Sequence, residues 1–123
     1  MSSAAVFAAR NAAAGEEMRS MYGSIGNLTA AAGKRDELIA ILISAVAAMP
    51  GCISYIVARD AKDENTIWVT ELWDDKQSHD DSLKLPVVMQ AIAAARPLIA
   101  AFGTPVITTP AGGFGLPATP KPG

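Results

Sequence analysis

The sequence predicts an α+β domain, an antiparallel sheet of the split βαβ kind with its helices on one face. Three observations predict it. Segments of alternating apolar character interleave with segments of helical period in the order strand, helix, strand, strand, helix, strand. A short polar turn joins the two central strands as a hairpin. The length of 123 residues suits one domain with one hydrophobic core.

Taken in order, residues 1–20 are alanine-rich, with good helix propensity but no clear apolar stripe, and are read as an N-terminal extension. The folded domain is expected over residues 21–109. Its first strand is MYGSIGNL, residues 21–28, which alternates weakly and carries two glycines, as strands do where backbone or ligand approaches closely. Over residues 34–49, Leu38, Leu42, Ala45, Val46 and Met49 recur at helical spacing behind a charged first turn, and Pro50-Gly51 stops that helix. CISYIVARD is rich in β-branched and aromatic side chains and reads as the next strand. Alternation puts Cys52, Ser54, Ile56 and Ala58 on one face and Ile53, Tyr55, Val57 and Arg59 on the other.

After the turn DAKDEN, the strand TIWVTELW places Ile67, Val69, Glu71 and Trp73 on one face, and Thr66, Trp68, Thr70 and Leu72 on the other. Asp74 or Asp75 can cap the helix that follows, with Gln77 or Ser78 three residues on. Pro86 suits the first turn of a further helix whose apolar positions are Val88, Met89, Ile92, Ala95 and Ile99, and Pro97 ends or kinks it. TPVITT is a short last strand, and the Gly/Pro-rich residues 110–123 are read as a tail.

Helices cover one face of such a sheet and leave the other open. Half of the residues are apolar, yet alanine supplies much of that half, and three Phe, two Tyr and two Trp add little aromatic area. A second copy of the sheet is the simplest cover, so a homodimer is expected. A net charge of -2 offers no basic patch, and nucleic acid is not an expected partner. Cys52 is the single cysteine, which excludes an internal disulfide and fits a reducing compartment. With one His and one Cys, no nitrogen- or sulfur-ligated metal site is expected within one chain. No apolar run approaches the roughly 20 residues of a membrane helix. The first residues lack the positive charge of a secretion signal, and Arg10 interrupts the apolar stretch behind them. The expected location is cytoplasmic, with no membrane partner.

The corner ELWDDKQSHDDSL, residues 71–83, holds the only histidine and one of the two tryptophans. Helix capping accounts for its aspartates but requires neither Trp73 nor His79. Together with TAAAGKRDELIAIL, MPGCISYIVARD and VVMQAIAAARPLIAAF, in chain order, this corner resembles the antibiotic biosynthesis monooxygenase superfamily, which includes small quinol monooxygenases. The specific part is the Glu-x-Trp pair with Ser78-His79 and Ser82 behind it, followed by the Ala-Arg-Pro-Leu run. The likeness spans about residues 21–102. It implies a ferredoxin-like fold whose sheets pair in a homodimer as an α/β-barrel. It also implies oxidation of a phenolic, quinol or polycyclic aromatic substrate by dioxygen, with no flavin, haem or metal cofactor. Two alternatives stand beside it: a haem-binding or haem-degrading monooxygenase of the same superfamily, and a non-catalytic dimeric domain for small-ligand binding or stress response.

Under that resemblance His79 is the candidate base for a phenolic proton, against a plain reading as a hydrogen-bonded surface residue beside Asp75, Asp80 and Asp81. Trp73 is read as stacking on a flat substrate at the cavity mouth, as a large core side chain, or as both. Glu71 is read first as a structural partner of Arg96 or a helix amide and only second as a base. Asn27 at the end of the first strand matches, within one residue of register (Gly26), an asparagine that places substrate or oxygen in relatives. Tyr22 and Tyr55 are candidate hydroxyl donors to substrate, or interface residues. Ser82 and Arg96 match the family pattern as substrate contacts or as partners of the helix. Cys52 is read as a small buried apolar residue rather than a nucleophile.

Overall fold

A computed structural model describes residues 20–46 and 49–116. The expected N-terminal extension, apart from Ser20, and the tail beyond residue 116 lie outside the described residues. Five strands form one antiparallel sheet: β1 (Tyr22–Ala30), β2 (Cys52–Arg59), β3 (Thr66–Trp73), β4 (Ile99–Phe102) and β5 (Val106–Thr108). Among the described residues, three helices, α1 (Arg35–Ser44), α2 (Lys76–Ser82) and α3 (Pro86–Ala95), complete the α+β fold. The strands run in the order β2-β3-β1-β4, with β5 also pairing with β1. This is the ferredoxin-like split βαβ arrangement.

The alternation read from β3 carries directly into packing. Ile67 and Trp73 are 0% and 1% exposed and Val69 is buried, while Trp68 and Thr70 on the other face are exposed. Buried Leu38 and Ile39 of α1 and Ala95 of α3 close over Ile67, Val69 and Ala30 to form the core. Among the described residues, no helix covers the far face of the sheet. Ile25, Ile56, Trp68 and Val106 are all exposed there, as the strand register places them.

Several boundaries differ from the sequence reading. β1 runs on to Ala30, so Asn27 lies within the strand rather than at its end. The first helix ends at Ser44, with residues 47 and 48 outside the description, and it buries Ile39 as well as Leu38. Ile99 does not extend the last helix. Pro97 has no N–H for an α-helical bond, so the chain tightens into a 3-10 turn at Arg96–Leu98 and enters β4 at Ile99. Met89 and Ile92, read as helical core positions, are exposed at 53% and 38%.

Cys52 also changes face. A bulge between Cys52 and Ser54 puts Cys52 opposite Trp73 while Tyr55 stands opposite Glu71, so Cys52 and Tyr55 share the helix-side face. The final strand is interrupted too. β4 pairs with Leu28, Thr29 and Ala30, β5 pairs with Gly23, Ser24 and Ile25, and residues 103–105 bridge the gap beside Gly26 and Asn27.

The hairpin turn is held by Asp60. Its carboxylate accepts from the backbone N–H of Asp63 at 2.8 Å, from that of Lys62 at 3.0 Å, and from the Trp68 indole at 2.7 Å. These donors, the Asp63 amide first, hold its pKa down at about 2. A depressed carboxylate stabilises the fold above its ordinary pKa and loses that contribution as pH falls through the folded value. Denaturant melts should therefore show Asp60→Ala less stable than wild type at pH 7, with the gap closing between about pH 4 and pH 2. A gap independent of pH would show that the charge plays no part.

Candidate functional site

Cross-strand register lines up a row of side chains on the helix side of the sheet: Tyr55 of β2, Glu71 of β3, Ser24 of β1 and Ile107 of β5. The neighbouring row contains Val69 and Gly26, and the absence of a side chain at Gly26 leaves room above the sheet. Leu42 of α1 and His79 of α2 rise over these rows, and Phe102 and Pro105 stand at the broken edge. Together they enclose a cavity of about 300 Å³, at the small end of the range for ligand pockets.

His79 reaches this cavity because the strand-to-helix corner is tightly fixed. Asp75 caps α2, its carboxylate accepting from the Ser78 backbone N–H at 2.8 Å. The Asp74 backbone N–H donates to the Gly51 carbonyl at 2.9 Å. Gly51 has φ +85°, and any side chain there would collide with Ser78 and Asp74, so glycine is what lets the start of α2 lie against the start of β2. Ser82 is buried, and its hydroxyl donates to the His79 carbonyl at 2.6 Å.

The His79 ring lies among aromatic and acidic neighbours. Trp73 meets it edge-on, with centroids 5.5 Å apart and planes at 87°, and Tyr22 packs at 5.0 Å. Nδ1 lies 3.0 Å from Asp80 Oδ1, and Nε2 lies 3.9 Å from Glu71 Oε1. Lys76, 2.7 Å from the Asp80 carboxylate, and then His79 hold Asp80 below the usual carboxylate range. Asp80 is thus an acceptor, so a neutral His79 ring carries its proton on Nδ1 and offers Nε2 as an acceptor. Glu71 Oε1 also accepts from the buried Trp73 indole at 2.9 Å. Burial first, and then the Glu71 charge, push the Tyr55 hydroxyl far above its ordinary pKa, so it serves as a hydrogen-bond donor.

Of the residues singled out in the sequence, His79, Tyr22, Tyr55 and Glu71 meet at this cavity; Asn27 borders it, but it stands opposite Trp68 in the register, so its side chain belongs to the far face of the sheet. Gly26 lines it as well, and of the two candidate registers of the asparagine position it is Gly26 that lies on the helix-side face. The Asn27 carbonyl accepts from Gly103 N–H at 2.8 Å, and its side chain lies so close over Gly103 that a Cβ at that position would overlap it. Trp73 is fully buried and acts from behind, holding Glu71 and the His79 ring rather than lining the mouth. Ser82 secures the turn of α2 that carries His79, and Arg96 is exposed beyond the cavity lining. Glu71 is hydrogen-bonded by the Trp73 indole and stands near His79, not paired with Arg96 or a helix amide. Burial, followed by the Glu71 charge, raises the Cys52 thiol pKa, which suits a packed rather than a nucleophilic cysteine.

Sequence reasoning did not anticipate Ser24, Leu42, Phe102 or Pro105. The period-2 pattern could have found Ser24, which shares a face with Tyr22. The others depend on the course of the chain in three dimensions.

Residues 21–94 match the family model described as antibiotic biosynthesis monooxygenase. A candidate antibiotic biosynthesis monooxygenase of Chloroflexus aurantiacus is 54% identical, with 80% of this chain and 100% of that one covered and a TM-score of 0.77. A second such protein, from Caulobacter crescentus, is 25% identical over 74% of this chain and 88% of its own, with a TM-score of 0.64. SnoaB of Streptomyces nogalater, a cofactor-independent oxygenase solved as a variant, shares the fold at 16% identity, covering 77% and 97% of the two chains with a TM-score of 0.65. Among curated proteins, none matches this chain.

Proposed function

Because the chain belongs to the antibiotic biosynthesis monooxygenase family, we propose that it oxidises a small phenolic or quinol ring with dioxygen and no cofactor of its own. The observation that carries this reading is the cavity, where His79 stands beside Tyr55 and Glu71 among largely apolar walls. A flat ring enters past Phe102, Pro105 and Ile107 with its hydroxyl directed inward. His79 Nε2 takes the hydroxyl proton, and the Tyr55 hydroxyl hydrogen-bonds to the oxygen anion that forms. The electron-rich ring carbon then adds dioxygen as a hydroperoxide, and loss of water leaves a carbonyl. One oxygen atom stays in the product and one leaves in water, with all electrons drawn from the substrate. The protein's part is to bind, orient and move a proton. SnoaB offers a precedent within this fold for oxygenation without a cofactor.

The test is oxygen uptake with quinols, naphthols and anthrones. Stoichiometric uptake and quinone formation, unaffected by chelator, is the expected result. No uptake with any of these classes would sink the reading, and a stoichiometric shift of the haem absorption band on titration would favour the haem-handling alternative.

We also propose that the working form is a homodimer with the open sheet faces packed together, supported by the exposed Ile25, Ile56, Trp68 and Val106 on that face. Light scattering at micromolar concentration should give twice the chain mass, and a monomer mass would refute it.

A further inference from the structure

Glu71 stands at the centre of the cavity's polar row, between Tyr55 and Ser24, with its side chain 19% exposed. Its Oε1 is anchored by the indole N–H of Trp73, so the carboxylate cannot swing away without leaving a buried donor unpaired. None of the residues lining the cavity is Lys or Arg. The imidazole that faces Glu71 already has a second carboxylate, Asp80, on its other nitrogen, and Lys76 is engaged by Asp80. The groups facing the cavity from each strand and helix are therefore donors, one imidazole and a fixed negative charge. Beyond the His79 imidazole, already flanked by two carboxylates, no cation lines the cavity to balance an anionic ligand.

We infer that Glu71 makes this cavity selective for rings with an uncharged hydroxyl head group over the same rings with a carboxylate head group. A hydroxyl donates toward Glu71 or His79 and brings no charge of its own. A carboxylate meets the Glu71 carboxylate across a confined, partly desolvated space and must shed its own hydration to do so. Glu71 is thus a specificity-determining residue, and the substrate's proton is removed only after the neutral ring has bound. The inference rests on the reading of the cavity as a site for aromatic rings, and its test uses binding alone, so turnover is not needed to decide it.

Calorimetric titration with 2-naphthol and 2-naphthoate compares the two head groups on one ring. Wild type should bind the naphthol at least about tenfold more tightly, a modest demand given the repulsion of two carboxylates about 5 Å apart. Part of that gap is plain desolvation of the anion, which Glu71→Gln separates. The amide oxygen of the variant can still accept from the Trp73 indole, so the pocket keeps its shape while the charge is gone. The gap should then shrink to about threefold or less, through tighter naphthoate binding. An unchanged gap in Glu71→Gln would overturn the inference, as would equal binding of the two rings by wild type, which holds even if the variant fails to fold. Wild type binding neither ring would overturn the aromatic reading along with it.

Discussion

Replacing His79 with alanine is expected to lower turnover by about two to four orders of magnitude at a pH where the substrate hydroxyl is protonated, the range over which a positioned general base contributes. The loss should fall on kcat more than on KM, since the ring contacts elsewhere in the cavity remain. It should also vanish as pH rises through the substrate's own pKa, because an already ionised hydroxyl needs no base. Plotting the wild-type to variant ratio against pH for two phenols of different acidity checks this: the point of convergence should move with the phenol. The side chain is 21% exposed and touches Tyr22 and Trp73 by its edges, so a stability loss of only about 1 kcal/mol accompanies the change. A variant that is destabilised yet fully active per folded molecule would make His79 a structural residue.

Trp73→Ala should have the largest effect on stability, about 4 kcal/mol in urea melts, because it removes a large side chain that is 1% exposed and leaves a cavity behind it. It also removes the indole donor to Glu71, freeing that carboxylate to move. Trp73→Phe separates the two losses. It keeps much of the bulk but lacks the N–H and part of the indole, so it should cost about 1–2 kcal/mol. Activity in Trp73→Phe should nevertheless fall, since both the Glu71 anchor and the edge contact to His79 are altered. A loss below about 1 kcal/mol for Trp73→Ala would contradict the burial on which its supporting role depends.

Much of the fold was legible because local rules and packing agree. The period-2 pattern of β3 sorted Ile67, Val69, Glu71 and Trp73 from Trp68 and Thr70 correctly, and of the two cap candidates Asp74 and Asp75, Asp75 caps the helix. Legibility failed where one residue of backbone geometry decides a face. The bulge after Cys52 reverses the side to which that residue points, and no side-chain pattern marks it. Ile99 fits the helical period of α3, and only the turn beginning at Arg96 reassigns it to a strand. For the site, His79 was visible as a residue that capping did not need. The partner of Glu71 was not visible, since Arg96 and Trp73 are equally reasonable neighbours on paper and only the sheet-to-helix geometry chooses between them.

The interruption between β4 and β5 divides the labour of the chain. The segment that matches the family model stops at residue 94, whereas Phe102, Pro105 and Ile107 at the cavity mouth come later. Either side of the interruption, short backbone pairings to β1 hold the edge in place: Phe102 and Ile107 stand on those pairings, and Pro105 lies in the gap between them. If the proposed function holds, the residue that handles the proton lies in the first stretch and the residues at the cavity mouth in the second, much as recognition loops vary over a constant scaffold. On the proposed reading, a lineage explores new ring shapes by changing the few codons for residues 102–107 while Tyr55, Glu71 and His79 stay as they are.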